Sequence, residues 1–76
     1  MEIKNENENW KVNHMWDDGD GNPTQWIFYK DNDDFPYYID YIEAVNQFEV
    51  SHFDNGLRRL YVSKDFEDCI KFVERI

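Results

Sequence analysis

Apolar and polar residues alternate from Trp10 to Trp16. Trp10, Val12, His14 and Trp16 fall on one side, Lys11 and Asn13 on the other. A period of two predicts a half-buried strand. The next eight residues, Asp17–Thr24 (DDGDGNPT), crowd Asp, Gly, Asn and Pro together and read as a loop. Gln25–Lys30 (QWIFYK) is rich in β-favouring residues and reads as a second strand. The two strands and their loop predict a hairpin. Asp31–Asp34 (DNDD) reads as another polar turn.

Residues 35–48 fit two patterns. Phe35, Tyr38, Ile39, Ile42, Val45 and Phe48 lie at helical spacing, with Pro36 tolerated in a first turn. The other pattern is a short strand over Pro36–Ile39 followed by a helix capped by Asp40, with Glu43 completing a capping-box pair. The second is preferred. Asp54-Asn55-Gly56 between Glu49–Phe53 and Leu57–Val62 predicts a further hairpin. A three-residue loop pairs Val50 with Leu60 and Phe48 with Val62, which gathers apolar residues on one face. It also sets His52 opposite Arg58. Lys64–Ile76 carries Phe66, Cys69, Ile70, Val73 and Ile76 as an apolar stripe at helical spacing, with Ser63 as a candidate N-cap. The expected fold is α+β, a small antiparallel sheet in the order βββαββα, or ββαββα on the helical pattern, with helices on one face.

A chain of 76 residues is expected to form one domain, residues 10–76, with residues 1–9 loosely attached. Aromatic residues make up 18%, and with a single Ala they must supply most of the core. One cysteine excludes an intramolecular disulfide and a cysteine-based zinc site. The N-terminal MEIKNENENW lacks the apolar stretch of a secretory signal, and no apolar run reaches membrane-spanning length, so a cytoplasmic location is expected.

Charge changes the picture most. The net charge is −9. Residues 1–56 hold 13 acids against 3 bases, and residues 57–76 hold 4 acids against 5 bases. The acidic field argues against direct nucleic-acid binding, because phosphates repel it. It suits solubility, or a basic protein partner reached by electrostatic steering. Asp17, Asp18 and Asp20 precede the Gln25–Lys30 strand, and Asp31, Asp33 and Asp34 follow it. Two negative poles are therefore expected at the ends of an aromatic hairpin, with Glu6 and Glu8 joining the second.

Other chemistry is thin. From Asp18, calcium-type ligands fall at positions 1, 3 and 5, but Pro23 and Tyr29 occupy the positions of the required Gly and Glu. Cys69 lies on the apolar stripe, where a thiol is inert. His14 is expected to pack on the Trp10 face. Arg58-Arg59, the only adjacent basic pair, sends one arginine to each face of its strand and reads as local neutralisation or as a partner anchor. No metal or cofactor is expected, and no catalytic residue is assigned.

With the acidic runs Asp17–Asp20 and Asp31–Asp34 and with Trp16, Trp26, Phe35 and Tyr37 between or beside them, the chain resembles the small acidic inhibitors that bacteriophages make against host enzymes. These include DNA-mimicking uracil-DNA glycosylase inhibitors, antirestriction proteins and anti-CRISPR proteins. The resemblance covers the whole chain as size, charge and aromatic content, without a diagnostic motif. It implies a non-catalytic DNA mimic that occupies the basic groove of a nucleic-acid enzyme. Asp17, Asp18, Asp20, Asp31, Asp33, Asp34, Trp26 and Tyr37 are the expected partner-binding residues. The alternative is a regulatory or adaptor module that binds through Trp and Tyr on the hairpin or a sheet edge, its acids serving solubility.

Overall fold

Period-two patterning governs the middle of the chain. The computed structural model describes residues 7–31 and 34–76. Five strands form one antiparallel sheet in sequence order: β1 (Lys11–Val12), β2 (Gln25–Phe28), β3 (Tyr37–Ile42), β4 (Gln47–Phe53) and β5 (Leu57–Ser63). A single helix, α1 (Phe66–Arg75), follows. The α+β class and the antiparallel sheet are as expected, but the order differs at one element.

That element is the helix expected after Asp40. Residues 37–42 stay extended, and only a single 3₁₀ turn, Glu43–Val45, links β3 to β4. Asp40 is not a cap. It lies inside β3 opposite Gln25, whose Nε2 donates to Asp40 Oδ1 at 2.8 Å. Tyr37, Ile39 and Tyr41 point to the core side at period two, and this overrides the helical spacing of Phe35, Ile42 and Val45, all of which are exposed.

The first strand is shorter than its alternation predicts. β1 ends at Val12 because Asn13 closes a turn: its Oδ1 accepts from Met15 N at 3.1 Å, and its carbonyl accepts from Trp16 N at 3.1 Å. His14 and Trp16 are consequently exposed, not packed beside Trp10. Of the expected loose N-terminal segment, residues 1–6 lie outside the described residues. Asn7–Asn9 form a turn in which Trp10 N donates to Asn7 O at 3.2 Å.

The second hairpin begins in the expected register, with Phe53 opposite Leu57 and His52 opposite Arg58. Asn55 and Gly56 both have positive φ, 56° and 120°. A bulge then shifts the register between Val50 and Ser51, so Val50 faces Tyr61 and Phe48 faces Ser63 instead of Leu60 and Val62. The extra residue turns Tyr61 toward α1, where it stacks on Phe72 with ring centroids 4.6 Å apart.

Helix α1 starts at Phe66, two residues later than the expected start at Lys64 after a Ser63 cap. Asp65 is the N-cap, accepting from Glu67 N at 2.9 Å, and Ser63 Oγ supports it by accepting from Asp65 N at 3.0 Å. Phe66, Cys69, Ile70 and Val73 are buried against one sheet face, whereas Ile76, the last residue of the expected stripe, lies past the helix and is exposed. Trp26, fully buried, lies at the centre, its ring 4.8 Å from Phe66 and 6.0 Å from Phe48. At the far end of α1, the Lys30 ammonium donates to Val73 O at 3.0 Å and to the main-chain oxygen of Ile76, which ties the helix C-terminus to the end of β2. Among the described residues no helix is long and apolar enough to cross a membrane.

Candidate functional site

Topology sorts the charges. In a meander of this order, β2 starts, β3 ends, β4 starts and β5 ends at the same edge of the sheet, and α1 starts there too. The Asp17–Thr24 loop projects from that end. It is anchored where Thr24 N donates to Trp16 O at 3.3 Å and Tyr41 N donates to Thr24 O at 2.8 Å. The end therefore gathers Asp17, Asp18 and Asp20 from the loop, Glu43 from the 3₁₀ turn, and Asp65, Glu67 and Asp68 from the first turn of α1. All seven are exposed, and Lys64 is the base among them. Sequence reading found the loop acids. It missed Glu43 and the α1 acids as their neighbours, because only the meander and the direction of α1 bring them to one end. The acids of the first helical turn also complement the helix dipole.

The loop is shaped by its own carboxylates. Asp17 Oδ1 accepts from Gly19 N at 2.8 Å. Asp18 Oδ1 accepts from Asp20 N at 2.8 Å and from Asn22 N at 3.2 Å, and its Oδ2 accepts from Asn22 Nδ2 at 2.8 Å. These bonds, led by that from the Asn22 side chain, hold the Asp18 carboxyl below the usual aspartate range. Asp18 is thus engaged in closing a turn. Among the described residues no group of three or more His, Cys, Asp or Glu is arranged to hold a metal ion.

The opposite end is mixed in sign. Asp31 and Asp34 are exposed there, whereas Asp33 lies outside the described residues. Glu8 and Asp31 line one shallow hollow, as antiparallel pairing of β1 and β2 requires, and Glu6 lies outside the described residues. Lys30, Arg58 and Arg75 come to this same end through the ends of β2 and α1 and the start of β5. The two ends are therefore unequal: one carries seven acids with Lys64, and the other mixes Lys30, Arg58 and Arg75 with Glu8, Asp31, Asp34, Asp54 and Glu74.

The aromatic residues expected at an interface are in the core. Trp26 is 0% exposed and Tyr37 7%. Both sit on strands inside the sheet, on the face that α1 covers, and Tyr37 also stacks on His52 at 4.2 Å. As placed, neither presents a surface to a partner. The exposed aromatics are Trp16 (60%), beside the acidic loop, and Tyr29, Phe35 and Phe53.

The uncovered sheet face holds a row of polar side chains. Asn13 Nδ2 donates to Gln25 Oε1 at 2.7 Å, Gln25 donates on to Asp40, and Asp40 stands in direct register with Glu49. Burial first, and the facing Glu49 charge after it, push the Asp40 carboxyl up, with the Gln25 hydrogen bond opposing them. Cys69 is buried, and its thiol is pushed up to about 11, mainly by burial and further by Asp68 and Asp65. Such a thiol is a packing group, not a nucleophile.

Nothing among known protein families, curated proteins or solved structures matches the chain.

Proposed function

We propose that this protein is a non-catalytic acidic interaction protein that occupies a basic, nucleic-acid-binding groove of an enzyme, in the manner of the phage inhibitors it resembles. The observation that carries this reading is the convergence of seven exposed carboxylates, from three separate segments, at one end of a small fold. Loops collect acids in any soluble protein, but here a loop, a 3₁₀ turn and a helix N-terminus contribute to one surface. A cationic groove that holds phosphates would be attracted to such a surface, and the protein would compete with nucleic acid sterically and electrostatically. The acidic end replaces the two-pole arrangement as the contact surface, with Trp16 as the adjacent exposed aromatic.

The adaptor reading has its own support at the other end. Phe53 faces Leu57 across the hairpin, Phe53 N donates to Pro36 O at 3.1 Å next to Phe35, and all three of these apolar side chains are exposed. Capture of partners from bacterial lysate with the full chain as bait separates the two. A nuclease, glycosylase or polymerase whose capture is blocked by excess duplex DNA is the expected result. A partner whose binding ignores DNA and salt, and is lost on Phe53→Ser or Leu57→Ser, would replace inhibition with the adaptor reading.

A further inference from the structure

The two edges of the sheet are unequal. β1 offers two residues of edge, whereas β5 offers seven and, among the described residues, pairs only with β4. An edge strand of that length presents outward N–H and C=O groups to any extended chain laid beside it. Its charge is opposite to that of the rest of the molecule. Arg58 and Arg59 are exposed on β5, one toward each sheet face, and α1 adds exposed Lys71 and Arg75 alongside. Lys71 and Arg75, with Asp68 as the one acid, line a hollow with the stacked Tyr61–Phe72 pair, directly beside the β5 edge on the helix side. Arg59 and exposed Val62 lie on the other face.

We infer that the β5 edge is a docking site for an extended acidic segment of a partner protein, which adds to the sheet as a sixth, antiparallel or parallel strand. Main-chain hydrogen bonds would supply affinity, and alternate side chains would supply specificity. On one face those side chains meet Arg59; on the other they meet Lys71, Arg75 and the aromatic hollow. The same arginines select the occupant. A second copy pairing antiparallel through its own β5 in a register centred on Arg58 and Arg59 would bring two such pairs together, and like charges across strands destabilise a sheet. The bulge at Leu60 further disfavours a regular self-pairing. An acidic strand meets no arginine repulsion along Leu57–Leu60, the half of β5 that lies away from the acids at the start of α1. This inference is independent of the proposal for the acidic end, because it concerns another surface and a partner of the opposite charge.

The test is amide-resolved NMR of the isotopically labelled full chain, titrated with a short blocked peptide alternating Glu and Val. The controls are the same peptide with Lys for Glu and one with backbone N-methylation along its pairing edge. Shift changes concentrated on Leu57–Ser63 and on the Lys71/Arg75 side of α1 are expected with the Glu peptide alone. Arg58→Glu with Arg59→Glu, both surface changes, should lower its affinity by about tenfold. The inference is overturned if β5 stays unperturbed at millimolar peptide, if the Lys or N-methylated peptide binds equally, or if the free chain is a dimer with its β5 amides already protected. Because the peptide controls need no variant, the result stands even where the double substitution lowers stability.

Discussion

Asp40→Asn should make the protein more stable at neutral pH. Asp40 and Glu49 occupy directly paired positions of β3 and β4, both partly buried, and neither forms an ion pair among the described residues. Folding therefore raises the Asp40 pKa, chiefly by burial. A carboxyl whose folded pKa is raised binds its proton more tightly in the native chain than in the unfolded one. Stability is then greatest below the unfolded pKa and declines as pH rises through the folded value, so at pH 7 the whole penalty is present. Asparagine keeps an oxygen to accept the 2.8 Å bond from Gln25 Nε2 and removes the charge. Relief of a like-charge cross-strand pair amounts to about 0.2–1 kcal/mol, since the site is only partly buried and solvent screens it. For a domain of this size that is about 1–8 °C in Tm. Thermal melts of wild type, Asp40→Asn, Glu49→Gln and the double variant measure it. Either single change should stabilise, the double should gain less than the sum, and the gain should vanish at pH values where Asp40 is protonated. A destabilised Asp40→Asn, or a gain that persists in acid, would refute the reasoning.

Ile70→Ala should cost about 2–5 kcal/mol, because Ile70 is 2% exposed beneath α1; chemical denaturation gives the value, and no change would mean that the helix does not anchor the core. Gly56→Val should cost on the order of 1–3 kcal/mol from backbone strain at φ 120°, because the space around the residue is open; an unchanged melt would rule out this turn geometry. Cys69 should react slowly with a thiol reagent in the native state and rapidly in denaturant, and fast native labelling would contradict its burial.

Local signals explain which elements could be read in advance. The Asp54–Gly56 turn, the His52–Arg58 pair and the α1 stripe from Phe66 to Val73 depend on residues near one another in sequence, and all are present. A strand was expected over Pro36–Ile39, and β3 runs on through Asp40 to Ile42. The expected helix after it was not real, because the core demands Tyr37, Ile39 and Tyr41 on one side, a constraint that only the neighbouring strands impose. The end of β1 depends on one Asn side chain that reaches both its own turn and Gln25. At the candidate site, the loop acids were legible as a charge run. Glu43, Glu67 and Asp68 looked like ordinary solvated positions until the meander brought their segments to the same end. Trp26 and Tyr37 were expected at an interface because they lie beside the acidic runs in sequence. Flanked by strands and covered by α1, they are in the core.

The central claim is that the acidic end makes the first contact with a basic target. Asp20→Asn, Glu43→Gln and Glu67→Gln test it cleanly, because these three side chains form no hydrogen bond that shapes the fold among the described residues. The association rate of the captured enzyme with wild type and with this triple variant is to be measured from low to physiological salt. The account predicts that the wild-type rate falls as salt rises, since exposed charges are screened over about 8–10 Å. It also predicts that the triple variant associates more slowly at low salt, with the two rates converging as salt increases. Equal rates at every salt concentration, with melting curves unchanged, would contradict it.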